Sequence, residues 1–158
     1  MKHSKQTGAV FIELAIVLPL LIFLMLAAID FSRAISEYKT IVNQAKSAAR
    51  YLTTRAPGSA TAQGICIVKT STSDCSNDNI LANLDSATIT IQDASSSSSH
   101  AGQLTSQTSP SAVSINLITV TISNYEYNSI INGFNLGVFS IPASITFNPI
   151  SVTMRQVN

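Results

Sequence analysis

Glu13 is the only ionisable side chain between residues 9 and 29, and it stands five positions after Gly8. A carboxylate inside an apolar run is cheap at a membrane interface and expensive deeper in. Its presence therefore has two readings. In the first, Glu13 simply lies at the interface. In the second, a cut after Gly8 frees the amine of Ala9, about one helical turn from Glu13. The carboxylate could then approach its own Ala9 amine. It could also neutralise the amine of a neighbouring subunit, where low dielectric makes an unpaired charge costly.

The remaining residues with chemical potential are few. Cys66 and Cys75 are the only cysteines and bracket a short, polar loop. In a cytosolic chain they read as two buried thiols; outside the cytoplasm a disulfide between them is favoured. A zinc site needs more ligands, and His3 and His100 are distant in sequence. His100 lies in a Ser tract, but adjacency of Ser and His does not make a triad. Asp74 and Asp78 offer carboxylates to a calcium ion without the Gly and terminal Glu of an EF-hand loop, so turn formation is favoured. No catalytic constellation and no phosphate-cradling glycine motif is legible, so no enzyme activity and no cofactor is expected.

The elements that carry these residues follow from patterning. Residues 9–29 are long enough, at ~20 residues, to cross a bilayer as a helix. Pro19 bends such a helix slightly, which spanning helices tolerate. Lys2, Lys5 and the α-amino group bias the N-terminus to the cytoplasmic side. An ordinary secretory signal is the competing reading. Cleavage after Ala28 or Ala27 would place Leu26 or Met25 where a small residue is wanted. Charge then returns abruptly with Asp30, Arg33, Glu37, Lys39, Lys46, Arg50 and Arg55. The net charge of +1 and the lack of a basic patch exclude nucleic acid as a partner.

Ala28, Phe31, Ile35, Tyr38, Val42, Ala45, Ala49 and Leu52 recur at steps of three and four, which predicts that the helix continues past the membrane. The stripe could form a coiled-coil seam. Its small residues favour packing under the chain's own C-terminal domain. Pro57-Gly58 ends the pattern. Beyond it, period-two alternation of β-branched residues predicts strands at 65–69, 87–92, 113–123 and 150–157. A fifth, interrupted by Pro142, falls within 136–147 and reads as an edge strand. The Ser-rich stretch 94–112 reads as a mobile exposed loop. The expected fold is α+β, a long N-terminal helix packed against a small antiparallel sheet. Its expected divisions are a leader at 1–8, a membrane part at 9–29, a helical continuation at 30–56 and a β-rich domain at 57–158.

A short basic leader, a Gly, and a Glu five residues on within an apolar helix resemble the type IV prepilin N-terminus. The stretch GAVFIELAIVLPLLIFLMLAAIDFSRAI, residues 8–35, further resembles the signature of TadE-like pseudopilins. NQAKSAARYL, residues 43–52, is similar to the family's Ala-rich, Arg-containing segment, and ISVTMRQ near the end is similar to its terminal strand. Leu14 stands for the usual Phe, Asp30 for Glu and Ser32 for Gly. These departures keep size class or charge, and leave open TadE itself or a TadF- or TadG-like paralogue. The resemblance implies a pilin-like fold and cleavage between Gly8 and Ala9 by a membrane prepilin peptidase. It also implies a role as a minor or initiating subunit in building a tight-adherence (Flp-type) pilus. Implied partners are that peptidase, other pilin and pseudopilin subunits, the assembly platform of the bacterial inner membrane, and membrane lipid. The implied topology is single-pass, N-terminus cytoplasmic and C-terminal domain periplasmic. A secreted or anchored adhesin module, released by conventional signal cleavage, is the alternative.

Overall fold

The computed structural model describes residues 7–104, 114–131 and 142–156. Its first element, α1 (Thr7–Thr53), is one helix of 47 residues, roughly 70 Å at 1.5 Å per residue. Pro19 lies inside it. From Val10 to Ile29 its large apolar side chains are exposed apart from the half-buried Phe23, and none of these residues is fully buried. The helix is long and apolar enough there to span a membrane.

Past residue 29 the same helix acquires a core-facing side. Residues Asp30, Ala34, Glu37, Ile41, Ala45, Ala48 and Leu52 become progressively less accessible, and the last four are buried. This face is displaced from the apolar stripe expected from sequence. Ala45, Ala49 and Leu52 do pack under the domain, but Phe31 is 69% exposed and Ile35 and Tyr38 remain exposed. The reason is polar. Asp30 and Glu37 face the domain because tyrosine hydroxyls meet their carboxylates, so apolarity alone tracks the wrong side of the upper helix.

A four-stranded antiparallel sheet covers the lower half of α1. Its centre is β3 (Ser114–Ser123), which pairs antiparallel with β1 (Thr88–Gln92), the short β2 (Gln103–Leu104) and β6 (Ile150–Gln156). Alternation decides which face is buried. Ile118, Val120 and Ile122 stand opposite Met154, Val152 and Ile150, and Ile89 and Ile91 complete the same face. All belong to the core that includes Ile41, Ala45, Ala48, Ala49 and Leu52. The opposite face carries hydroxyls: Thr119 and Thr153 are 2.8 Å apart across strands. The strands expected at 87–92, 113–123 and 150–157 therefore form within a residue or so of the expected bounds, with Val113 and Val157 outside the described residues. Only Ser144–Thr146 of the expected fifth strand forms, as β5; it pairs with β4 (Glu126–Asn128) in a separate two-stranded ribbon. The part at 136–141 lies outside the described residues.

One expected strand is a helix. Residues 65–69 belong to α2 (Thr61–Thr70). Ala60, Gly64, Ile67 and Val68 are buried at helical spacing, so one face of α2 lies against α1. A run as short as ICIVK fits either period, and packing chose the helix. Gly64 marks the closest approach, since a Cβ there would lie 2.8 Å from Leu52 Cδ1 and 2.9 Å from Ile91 Cδ1. Gly64→Ala should therefore destabilise the domain by about 1–3 kcal/mol through overpacking, despite the better helix propensity of Ala. Chemical unfolding of the two forms measures this; an unchanged midpoint would contradict the tight contact.

Over its described part, 94–104, the Ser-rich stretch is largely exposed and folded into hydrogen-bonded turns that lead into β2. Residues 94–97 are held in a turn by Asp93, which is 4% exposed. Its carboxylate accepts from Gly58 N–H at 2.6 Å, Ser95 Oγ at 2.6 Å, and the Ser95 and Ser96 amides at 3.0 Å each. Asp93 thus ties the α1–α2 turn to the end of β1. Gly58, at φ +78°, supplies the left-handed conformation that turn needs. Residues 105–112 lie outside the described residues.

Burial opposes the charged form of Asp93, but these donors outweigh it and hold its pKa down at about 2. A depressed carboxylate stabilises the fold above its unfolded pKa of about 3.9 and loses that contribution as pH falls toward the folded value. Stability should therefore drop by about 2 kcal/mol between pH 4 and pH 2 from this group. Asp93→Asn should lose most of that pH-dependent step in acid unfolding. An unaltered acid limb in the variant would remove Asp93 from this role.

Candidate functional site

Three features bear on function: the exposed N-terminal half of α1, the junction where it enters the domain, and the cysteine pair. Gly8 and Glu13 both lie within α1. Gly8 is exposed, with nothing within 4 Å of where a Cβ would stand, so the chain there is sterically open. Glu13 is exposed beside a shallow groove lined with Val10, Leu14 and Val17. The helical path places residues 9 and 13 four apart, about one turn, as their spacing required. In a single chain the Glu13 side chain lies open on the helix surface.

Cys66 and Cys75 are joined as a disulfide with Cα atoms 4.9 Å apart. The bridge fastens α2 to the loop that follows it. Cys75 takes a left-handed φ of 55° to close this turn. Asp74 accepts from the amide and hydroxyl of Ser76 at 3.2 and 2.9 Å, the turn-forming role rather than a metal ligand's. Among the described residues no group of three or more His, Cys, Asp or Glu side chains could hold a metal ion. His100 has hydroxyls at both ring nitrogens, Ser99 at 3.1 Å and Thr119 at 2.8 Å, so it serves to pin the turn onto the outer face of β3.

The junction is the feature that sequence reasoning did not find. Asp30 is the first charged residue after the apolar run, and the end of the β4 strand comes down onto it. Tyr127 donates to Asp30 Oδ1 at 2.7 Å, Ser129 to Oδ2 at 2.7 Å, and Ile130 N–H to Oδ1 at 3.0 Å. One helical step of seven residues further on, Glu37 accepts from Tyr125 at 2.7 Å. Tyr125 and Tyr127 are 2% and 1% exposed and share one ring cluster with Phe147, which meets Tyr38 edge-on. Period two on the strand, 125-127-129, thus meets the 30–37 step on the helix. The visible signal was a Tyr-x-Tyr-x-Ser alternation and two acids on one helical face.

Charge chemistry at the junction is fixed. Burial pushes the Tyr127 hydroxyl up to about 12, helped by its bond to negative Asp30, and burial with Glu37 raises Tyr125 further. Both stay protonated and donate at any physiological pH. Partial burial works against the Asp30 anion, but the Ile130, Ser129 and Tyr127 donors more than compensate, and its pKa is lowered.

A family model described as TadE-like protein matches residues 8–50. This segment is TadE-like. The match spans the Gly8–Glu13 region, the whole apolar half of α1 and both clamp acids, and it stops short of the sheet. No curated protein and no solved structure matches the chain.

Proposed function

We propose that this chain is a minor pilin or pseudopilin in the biogenesis of a tight-adherence, Flp-type pilus. A prepilin peptidase cuts between Gly8 and Ala9. Residues 9–29 then anchor the mature protein in the inner membrane, with the domain after residue 57 in the periplasm. Glu13 pairs with the Ala9 amine of an adjacent subunit as the helices come together at the assembly platform.

One observation carries this reading. The TadE-like segment includes a stretch of α1, residues 10–29, whose large apolar side chains are nearly all exposed and whose only charge is Glu13. A helix left so largely exposed finds most of its partners outside the chain, in lipid and in other helices. The disulfide agrees with a domain in an oxidising compartment.

Intact mass of the protein recovered from membranes tests the cut. The expected N-terminus is Ala9. A start near Ile29 would favour the secreted adhesin module instead, and retention of Met1 would leave a plain membrane anchor.

A further inference from the structure

We propose that the chain just past β4, a tip formed by Ile130 and Ile131 among the described residues, is inserted into the hydrocarbon of the bilayer, so that the domain grips the membrane surface at a second point beside its own helix. The proposal rests on the reading that residues 9–29 lie in a membrane, and adds a lipid contact made by the domain.

Position is the first argument. Asp30 closes the apolar run, and the Ile130 amide bonds to its carboxylate, so the tip begins at the membrane boundary. Ile131 lines an apolar groove with Leu18, Pro19, Ile22, Phe23 and Leu26. Leu26 and Ile22 lie roughly 6 and 12 Å deeper along the helix than Asp30. The tip therefore continues on the membrane side of the boundary, alongside residues that face lipid. Ile130 points outward and is 57% exposed. A large aliphatic side chain so placed meets acyl chains.

Backbone chemistry is the second and independent argument. Hydrocarbon tolerates irregular backbone only when its polar groups are satisfied within the protein. Three successive amides of the tip meet this demand. Ser129 N–H donates to Ala143 O at 3.0 Å, Ile130 N–H to Asp30, and Ile131 N–H to Ser129 Oγ at 3.2 Å. The Ser129 and Tyr127 hydroxyls are satisfied by Asp30 as well. No Asp, Glu, Lys, Arg or His occurs in the sequence between Glu126 and Arg155, so the one charge against the tip is the Asp30 carboxylate at the boundary, which is satisfied by its three donors.

The chain contains no Trp, so a single introduced indole reports without background. Three full-length variants are reconstituted into phosphatidylethanolamine/phosphatidylglycerol vesicles with or without brominated acyl chains. Leu20→Trp reports the spanning helix, Ile130→Trp the tip, and Ile80→Trp the disulfide end of the domain. The expected result is blue-shifted emission quenched by brominated lipid for Ile130→Trp and Leu20→Trp, and neither effect for Ile80→Trp. Quenching at Leu20 but not at Ile130 would overturn the tip insertion and spare the membrane helix. Quenching at neither would overturn both. A blue-shifted but unquenched Ile130→Trp signal would mean that protein, from this chain or a second copy, covers the tip, and would also end the proposal.

Discussion

Glu13→Gln should leave cleavage after Gly8 intact while reducing incorporation of the subunit into pili by a factor of hundreds or more. In the folded chain Glu13 stands exposed on a helix surface, so the substitution has nothing inside the subunit to disturb. Gln keeps the size and polarity but not the charge. If the carboxylate neutralises the Ala9 amine of a neighbour, its loss leaves that amine uncompensated in an apolar setting. Removing one partner of a buried pair costs about 3–5 kcal/mol, and each 1.36 kcal/mol is a factor of ten. The measurement compares the mature-size band with pilus yield in cells that carry only the variant. Normal piliation would assign Glu13 to the interface as a simple surface charge.

Asp30→Ala should uncouple the β4–β5 ribbon from the helix and destabilise the domain by about 3 kcal/mol. The substitution removes the acceptor of three bonds, from Tyr127, Ser129 and Ile130. Bonds to a charged group contribute about 1.5–3 kcal/mol each, and a stranded buried donor adds its own penalty. The total is moderated because Tyr127 also reaches the Asp30 main-chain oxygen at 3.1 Å, which survives the change. Asp30→Asn should cost less, since an amide oxygen still serves the two donors on Oδ1. Denaturant unfolding in detergent gives the magnitude. Amide exchange at Ile130 gives the location, because its protection depends on Asp30 directly. Slow exchange at Ile130 in the Ala variant would show that the junction is held by the Tyr–Phe147 cluster instead.

These two experiments separate two jobs of one helix. Residues 10–29 are exposed except on the side of Phe23 and Ala27, which are half-buried, so changes on the exposed faces alter association and leave the fold alone. Residues 30–53 carry the domain, and changes there alter the platform from which the exposed half projects. Asp30 stands at the division, and its hydrogen bonds fix how the domain is set against the exposed apolar half of the helix.

Sequence alone determined the long helix, because apolar length and a 3.6-residue period are local properties of the chain. It also determined three strands of the sheet, where β-branched alternation runs for five residues or more, and the Gly8–Glu13 spacing, which a helix converts directly into distance. Tertiary structure decided the rest. ICIVK is too short for its period to be read, and contact with Leu52 and Ile91 at Gly64 made it helical. The Ser-rich turns depend on Asp93 reaching back to Gly58, a partner 35 residues away. The core-facing side of α1 was misplaced because Asp30 and Glu37 count as solvent-facing until Tyr127 and Tyr125, some 90 residues later, arrive to satisfy them. Hydrophobic periodicity records which side chains avoid water; it is silent about polar groups whose partners only folding brings within 3 Å.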